Sequence, residues 1–423
     1  MRDGHDPKLK SWLDIPEDCD FSIHNLPFGI FSPRGKHRRV GIAVGEFVLD
    51  LAALARRFNV GAPASIFNRA KLNRFVSLGP TAWRAVRANV QRLLAANTPD
   101  LRDDAELREE CLIPMAETRP ALPFAIGDYV DFYSSEQHAT NVGRMFRPDN
   151  PLMPNWKHLP VGYNGRASSV VVSGTKFHRP LGQTKPDSVD APVFGPTRAL
   201  DFELEVGFFT GKNNPLGNRI STAEARDYVF GLVLLNDGSA RDIQKWEYQP
   251  LGPFLAKSFA TTISPWVVTL DALEPFFVEP PPQEPQVLPY LRCDDKWAID
   301  IELEVWLKSE QMTRLQRISK TNFRHMYWTI PQQLAHQSVN GTNVRVGDLY
   351  ASGTVSGEAP DSYGSMLELA WRGERPIRLE ETGEQRAFLS DGDSVILRGW
   401  CQGDGYRVGF GECEGTVLPA IEP

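Results

Sequence analysis

Leu200-Asp-Phe-Glu-Leu-Glu-Val-Gly-Phe208 is the stretch from which the fold of the chain can be predicted. Apolar and acidic side chains alternate along it, which is typical of a β-strand whose two faces have different surroundings. Asp201, Glu203 and Glu205 share one face, and the two glutamates are about 6–7 Å apart along the strand. The pattern indicates either a half-buried strand with a solvated acidic face or a pair of carboxylates that binds a cation.

Two further acids lie where strands are predicted to end. Asp131 is in the segment Gly127-Asp-Tyr-Val-Asp-Phe-Tyr133, and Asp237 ends the apolar run Phe230-Gly-Leu-Val-Leu-Leu-Asn-Asp237. Carboxylates that lie close together repel one another, and a divalent cation between them relieves the repulsion. A site with oxygen ligands only favours Ca²⁺ or Mg²⁺ over zinc.

Length and composition predict a protein of two domains that is rich in strands. The chain has 423 residues, of which 34 are glycine and 33 are proline, 67 in all, so many turns are expected. The net charge is −7 and both signs are interspersed, which gives no reason to expect a nucleic acid or an anionic membrane as a partner.

The first 118 residues read as a small α+β domain. Short strands are predicted at 28–31, 39–44 and 47–49, and a helix is predicted after Pro80. Prolines at 114, 120 and 123 indicate a linker between the two domains. We place the boundary near residue 118, so the second domain covers 119–423. In that domain strand composition is found around 168–173, 200–209, 229–236, 263–270, 300–307, 348–355, 365–370 and 393–400.

Two other segments of the second domain have clear patterns. Residues 274–289 contain six prolines and are predicted to form an extended loop. Phe323, Met326, Tyr327, Ile330 and Leu334 share one face of a predicted helix, which Pro331 should kink or shorten.

Cysteine usage and the first residues favour a reduced, cytoplasmic setting. The five cysteines are widely spaced, with no Cys-x-x-Cys pair, so neither a disulfide framework nor a thiolate zinc site is indicated. Residues 1–7 lack the apolar core of a secretory signal, and the longest apolar runs have the length of strands, so no membrane span is expected.

His138 is a candidate general base. Ser134-Ser-Glu-Gln137 matches a capping box, which would start a helix there and place His138 in its first turn. A histidine at a helix N-terminus tends to remain neutral, and neutral imidazole can accept a proton. The local sequence alone favours the alternative, a surface or core histidine without a chemical role.

The segment from Asn236 to Lys257 is dense in hydrogen-bond donors. Arg241, Gln244 and Lys257 could stabilise a developing oxyanion near a metal-bound acid. An exposed, charged loop would account for the same composition.

Seven blocks of sequence occur in order along the chain. They are Asp131-Phe-Tyr-Ser-Ser-Glu-Gln-His-Ala-Thr-Asn-Val-Gly143, Leu159-Pro-Val-Gly-Tyr163, Glu203-Leu-Glu205, Ser239-Ala-Arg-Asp-Ile-Gln244, Ser352-Gly-Thr-Val-Ser-Gly357, Gly364-Ser-Met-Leu-Glu-Leu369 and Gly403-Asp-Gly-Tyr-Arg-Val-Gly-Phe-Gly411. Together they resemble the fumarylacetoacetase family. The resemblance covers nearly the whole chain and is weakest over the first hundred residues. It implies an α+β, mostly β protein with a small SH3-like N-terminal domain and a mixed β-roll C-terminal domain, assembled as a homodimer.

The resemblance also implies a function. It is the metal-dependent cleavage of a carbon–carbon bond in fumarylacetoacetate, a 1,3-diketo acid, into fumarate and acetoacetate, the last step of tyrosine and homogentisate degradation. The Ca²⁺ ligands would be Asp131, Glu203, Glu205 and Asp237. A second ion of the Mg²⁺ type would contact Asp237, Thr261 and the backbone of Lys257.

Catalytic and substrate-binding roles are implied in the same way. His138, oriented by Glu368, would activate water, and Arg241, Gln244 and Lys257 would stabilise the oxyanion. The substrate would be bound by Tyr133, Arg147, Tyr163, Gln244, Tyr248 and Thr354.

Four positions depart from the family pattern and leave the exact substrate and metal affinity open. Gly238 stands where a tryptophan is typical, Ala256 and Ala260 where glycines are typical, and Asn164 where a histidine is common. Three alternatives remain: a paralogue acting on an acylpyruvate-like diketo acid, a decarboxylase of the wider superfamily, and a catalytically weak binding paralogue.

Overall fold

The computed structural model describes residues 6–33, 37–186, 188 and 190–422. The strands within these residues are β1 (Phe28–Pro33), β2 (Arg39–Val44), β3 (Phe47–Asp50), β4 (Leu112–Pro114), β5 (Thr118–Ala121), β6 (Tyr129–Phe132), β7 (Gly162–Gly165), β8 (Val170–Val172), β9 (Thr175–His178), β10 (Leu181–Thr184), β11 (Val193–Pro196), β12 (Leu200–Asp201), β13 (Leu204–Thr210), β14 (Val229–Asp237), β15 (Ser239–Ala240), β16 (Thr261–Ile263), β17 (Trp266–Thr269), β18 (Phe277–Val278), β19 (Ala298–Ile299), β20 (Glu302–Lys308), β21 (Gln316–Asn322), β22 (Leu349–Ala351), β23 (Ile377–Arg378), β24 (Gln385–Arg386), β25 (Ser394–Gln402) and β26 (Arg407–Leu418).

The helices are short, apart from one of fifteen residues in the N-terminal part. They are α1 (Leu51–Leu54), α2 (Ala64–Phe67), α3 (Asn73–Val76), α4 (Pro80–Leu94), α5 (Pro99–Arg102), α6 (Ala105–Cys111), α7 (Glu136–Phe146), α8 (Ala225–Tyr228), α9 (Arg241–Glu247), α10 (Leu270–Leu273), α11 (Ile330–Ser338) and α12 (Met366–Leu369). Among the described helices, none has the length and apolar character that crossing a membrane requires.

One large sheet runs through both parts of the chain. Its strand order is β4-β3-β2-β1-β17-β14-β13-β22-β6-β7, with β5 paired to β1 and with β16 paired to both β14 and β8. β13 and β14 form its centre and are buried along their whole length, because their side chains are covered on both faces. The predicted α+β, mostly β fold is confirmed.

A second sheet covers one face of this centre. Its order is β21-β20-β25-β26-β9. Leu232 and Leu234 of β14 belong to the same buried cluster as Leu303 of β20 and Leu397 of β25, so the two sheets share one apolar core. The polar residues at the strand ends are left at the edge of this core.

The N-terminal strands and the helix after Pro80 form as predicted. Trp83 and Val86 of α4 are buried against the large sheet, and the Trp83 ring meets the Phe230 ring of β14 edge-on, with 5.0 Å between centroids. β1 also pairs with β17 of the later part of the chain. The domain boundary near residue 118 and the SH3-like character of the first domain stay predictions, and residues 1–5 of the opening segment lie outside the described residues.

Two local predictions are wrong. The helix predicted over 323–334 is a short 3₁₀ turn followed by α11, and Pro331 lies in the first turn of α11, where the missing N–H of proline is harmless. The strand predicted at 365–370 is the helix α12, because Ser365 caps the segment by accepting a hydrogen bond from the Glu368 N–H.

Replacing Trp83 should weaken the contact between α4 and the large sheet. Trp83→Ala removes a buried ring whose Nε1 donates to the Val76 carbonyl over 2.8 Å. Phe or Trp→Ala changes in cores cost about 3–5 kcal/mol, so calorimetry should show a melting temperature lower by about 5 °C or more. Arg84→Ala, which removes an exposed neighbour, is the control; equal melting temperatures for the two variants would contradict the packing described here.

Candidate metal centre and hydrolytic site

Strand register brings the predicted metal ligands to one edge of the large sheet. β6 and β22 are parallel with Asp131 opposite Ala351, and β22 pairs in turn with β13, which carries Glu205. On the other side of β13, β14 ends at Asp237, and Thr261 of β16 lies opposite that residue. The side chains therefore meet although 106 residues separate the first acid from the last (237 minus 131).

The four acids form a single buried cluster. Each of Asp131, Glu203, Glu205 and Asp237 offers a carboxylate oxygen, and these oxygens all lie within 4.8 Å of one another. All four residues are buried, with Glu205 and Asp237 fully inaccessible to solvent. The solvated acidic face is thus ruled out for 200–208, because other strands and loops cover that face. The strand is also interrupted after Asp201, since Glu203 makes an isolated bridge to Ser365.

Two cations compensate part of the negative charge. Lys257 Nζ donates to Glu203 Oε2 and, over 2.9 Å, to Asp237 Oδ2. Arg241 Nη2 lies 2.6 Å from Glu203 Oε1. Burial acts to raise the pKa of Glu203, but the charges of Lys257 and Arg241 outweigh it and hold that pKa well below its ordinary value.

The remaining charge is not compensated by the protein. Asp131 Oδ1 and Glu205 Oε1 are buried and have no hydrogen-bond partner among the described residues. Burial, together with the charge of neighbouring carboxylates, raises the pKa of both groups well above their ordinary values. The donor set fits a hard divalent cation, since it is made of oxygen atoms and carries an excess of negative charge.

Two hydroxyl groups hold Asp237 in place. Tyr163 OH donates to Asp237 Oδ2 over 2.8 Å, and Thr261 Oγ1 donates to Asp237 Oδ1 over 2.7 Å. Tyr163, predicted to bind substrate, is thus in contact with one of the predicted ligands.

His138 and Glu368 form a buried pair beside this cluster. His138 Nδ1 lies 2.6 Å from Glu368 Oε2, and both side chains are almost inaccessible to solvent. Burial acts to raise the pKa of Glu368, but the His138 ring and several hydrogen bonds lower it below its ordinary value. His138 is in the first turn of α7 as predicted, although the cap is Ser135 rather than Ser134, with the His138 N–H donating to Ser135 Oγ.

Three residues that hold Glu368 were not predicted from the sequence. Asn141 Nδ2 donates to Oε1, while the hydroxyls of Ser356 and Ser365 both donate to Oε2, each over 2.9 Å. Asn141 follows His138 by three positions in α7 and thus shares its face, a spacing from which it could have been found. Ser356 has no such local signal.

The other predicted site residues fall into two groups. The Tyr133 ring meets the His138 ring edge-on at 5.2 Å, Gln244 accepts a hydrogen bond from Arg241 over 3.3 Å, and Thr354 Oγ1 is buried without a partner among the described residues. Arg147 and Tyr248 end the helices that begin at the site, and both are exposed. In the described contacts neither of these two touches a carboxylate of the cluster.

Comparison with known proteins identifies the family of the chain. Residues 129–418 match the model of the fumarylacetoacetate hydrolase C-terminal domain, and residues 24–123 match that of the fumarylacetoacetase N-terminal domain. The chain is 56% identical to human fumarylacetoacetase over 418 residues, which are 98% of this chain and all of that protein. The chain belongs to the fumarylacetoacetase family.

Two other fumarylacetoacetases and one solved structure are also similar to nearly the whole chain. The fumarylacetoacetases of Dictyostelium discoideum and Arabidopsis thaliana are 53% and 49% identical, each over 97% of this chain and over 98% and 99% of their own lengths. A solved fumarylacetoacetate hydrolase from Exiguobacterium antarcticum has 16% identity and a TM-score of 0.53, covering 93% of this chain and 99% of its own, which supports the fold. As a fumarylacetoacetase family member, the protein is a hydrolase.

The departures from the family pattern find different explanations in the structure. A Cβ at Gly238 would lie 2.8 Å from the Ala260 carbonyl oxygen and 2.9 Å from the Phe259 ring, so this arrangement leaves no room for a tryptophan. Ala256 and Ala260 are buried, and neither has a positive φ, so alanine fits there without backbone strain. Asn164 is exposed on β7. Phe259 therefore fills the space beside Gly238.

A cation bound among the four acids should raise the stability of the protein, and its binding should depend on Glu205. After treatment with a chelator, added Ca²⁺ should raise the melting temperature, because a ligand that binds only the folded state stabilises it by about 2.7 kcal/mol at a hundred times its dissociation constant. Glu205→Gln should abolish this response, and its cation-free form should melt no lower than that of the unchanged chain, since a buried charge is removed.

Glu304→Gln is the matched control, because Glu304 is a buried acid that pairs with Arg317. This variant should respond to Ca²⁺ like the unchanged chain. A Glu205→Gln protein that retained the full response would show that the cation binds elsewhere.

Proposed function

We propose that the chain hydrolyses fumarylacetoacetate to fumarate and acetoacetate at the edge of the large sheet where His138–Glu368 meets the four buried acids. The observation that carries this proposal is a buried imidazole–carboxylate pair beside a cluster of four carboxylates whose charge the protein compensates only in part. Full-length identity to fumarylacetoacetases supports the reaction class. Small diketo acids are the substrate class, and the reaction would complete tyrosine and homogentisate degradation.

Asp131, Glu203, Glu205 and Asp237 would bind Ca²⁺. Their four carboxylates suit a cation that accepts oxygen ligands in flexible geometry. A second, Mg²⁺-type ion would contact Asp237, Thr261 and the Lys257 backbone. Bound there, a divalent cation supplies positive charge that stabilises an enolate-like leaving group.

His138 would act as the general base. Its Nδ1 is engaged by Glu368, so Nε2 is the nitrogen left to take a proton from water. Glu368 stabilises the imidazolium that forms, and the three hydrogen bonds from Asn141, Ser356 and Ser365 keep the carboxylate in place. The oxygen of that water attacks the ketone carbon on the fumaroyl side and becomes part of the fumarate product.

Arg241, Gln244 and Lys257 would stabilise the oxyanion that results. Lys257 is buried and Arg241 is partly buried, both beside Glu203, and Gln244 follows Arg241 by one helical turn. Donors fixed in a buried site need little reorganisation as charge develops on the substrate. Collapse of the tetrahedral species breaks the carbon–carbon bond, and the acetoacetate carbanion is protonated to give the second product.

Tyr133, Arg147, Tyr163, Tyr248 and Thr354 would bind the substrate. Thr354 offers a buried hydroxyl group beside Gly353, whose N–H donates to Glu205 Oε2. Arg147 and Tyr248 are exposed, and each would offer a donor to a carboxylate of the substrate.

A homodimer in the cytoplasm is the proposed state of the protein. Its support is an exposed apolar stretch after α9, in which Leu251 is 96% and Phe254 is 70% accessible. Exposed apolar clusters of this kind mark interaction surfaces.

Loss of the enedione absorbance of fumarylacetoacetate, followed with and without a chelator, tests the function. The proposal expects turnover that is lost with the chelator and restored by Ca²⁺. A panel of acylpyruvates and other 1,3-diketo acids tests the alternative substrate, and a higher kcat/KM for one of them would assign the chain to that substrate instead.

His138→Gln should lower kcat by about a hundredfold to ten-thousandfold, the range that general base catalysis contributes. KM should change much less than kcat, because the proposed role of His138 is to activate water and not to bind the substrate. His158→Gln, at an exposed histidine, is the control. Turnover of the His138 variant at the level of the unchanged chain would refute the assignment of the base.

A further inference from the structure

Asp201 is a buried carboxylate that contacts two separate parts of the site. Its Oδ2 accepts a hydrogen bond from Arg241 Nε over 2.8 Å. Its Oδ1 accepts from the Met366 N–H over 2.7 Å, and Oδ2 also accepts from the Leu367 N–H over 3.1 Å. The residue is 1% exposed, so water cannot replace these partners.

These contacts connect a proposed oxyanion donor, Arg241, with the helix that carries Glu368, the partner of the proposed general base. Arg241 begins α9, and its Nη2 lies 2.6 Å from Glu203 Oε1. Met366 and Leu367 form the first turn of α12, the four-residue helix that carries Glu368. A helix this short has no stability of its own, because its N–H groups depend on partners outside the helix.

We infer that Asp201 is a positioning residue that fixes Arg241 and Glu368 relative to each other. This inference rests on the roles proposed above for those two residues. The carboxylate touches neither the four-acid cluster nor His138 in the described contacts. It acts through the guanidinium on one side and through the backbone of α12 on the other.

An amide at this position cannot replace the carboxylate. Asn has one acceptor oxygen and one NH₂ group. With the oxygen in the place of Oδ2, Asn keeps Arg241 and the Leu367 N–H, but its NH₂ group faces the Met366 N–H. With the oxygen in the place of Oδ1, Asn keeps only the Met366 N–H, and its NH₂ group faces Arg241. Asp201→Asn should therefore lower kcat per folded chain about tenfold to a hundredfold, the loss typical for residues that support a reacting group. Asp201→Ser, which keeps one small acceptor, should give a similar loss and replaces the Asn variant if that protein does not fold.

Asp50 provides a matched control for a purely structural role. It is a buried aspartate that accepts from the Ala52 and Ala53 N–H groups at the start of α1 and pairs with Arg39, far from the site in the sequence. Asp50→Asn removes the same kinds of contact. It should lower the melting temperature and leave kcat per folded chain unchanged.

Combined variants separate positioning from general loss of structure. If Asp201 acts through its two partners, adding Asp201→Asn to Arg241→Gln or to Glu368→Gln should cost less than the product of the two single losses. Losses that multiply fully in both backgrounds, or wild-type kcat in Asp201→Asn, would overturn the inference. Wild-type turnover in Arg241→Gln and Glu368→Gln would instead refute the proposed roles and the inference together.

Discussion

The buried excess of negative charge at the edge of the large sheet is the constraint on which the site depends. Four carboxylates lie within reach of one cation. Lys257 and Arg241 pair with Glu203, and Lys257 also pairs with Asp237, whereas Asp131 and Glu205 each keep a buried oxygen without a partner among the described residues. Burying charges without partners is unfavourable. The packing of the apolar core must therefore offset the unfavourable free energy of bringing Asp131 and Glu205 together. In the proposed function a divalent cation bound among the four acids would compensate this charge and supply positive charge for catalysis.

The shared core of the two sheets explains how that arrangement is maintained. β13 and β14 are buried on both faces, and their register is fixed by apolar side chains such as Leu204, Val206 and Leu234, since a shift by one residue would reverse every side chain. The acids then occupy fixed positions at the strand ends. The helices α7, α9 and α12 begin at this edge and bring His138, Arg241 and Glu368 to it from three distant parts of the chain.

Much of this could be predicted from the sequence, and the failures have physical reasons. Alternation along 200–208 and the acids at strand ends left a cation site and a solvated acidic face both open, and the family resemblance supplied the set of four ligands. Alternation could not tell that the acidic face is covered, since burial depends on strands far away in the sequence. The segment 365–370 has strand composition, but the Ser365 cap and the Asp201 carboxylate stabilise a helix there. Asn141 had a local signal, whereas Ser356 and the double contact of Asp201 depend on tertiary structure alone.

A crystal structure of the protein grown with Ca²⁺ and acetoacetate tests most directly whether the four acids bind a cation beside His138. We expect one strong peak of density with oxygens of Asp131, Glu203, Glu205 and Asp237 at about 2.3–2.6 Å, the distances usual for Ca²⁺. We also expect acetoacetate between that peak and His138. Density without an ion between the four acids, or acetoacetate bound far from His138, would contradict the proposed site.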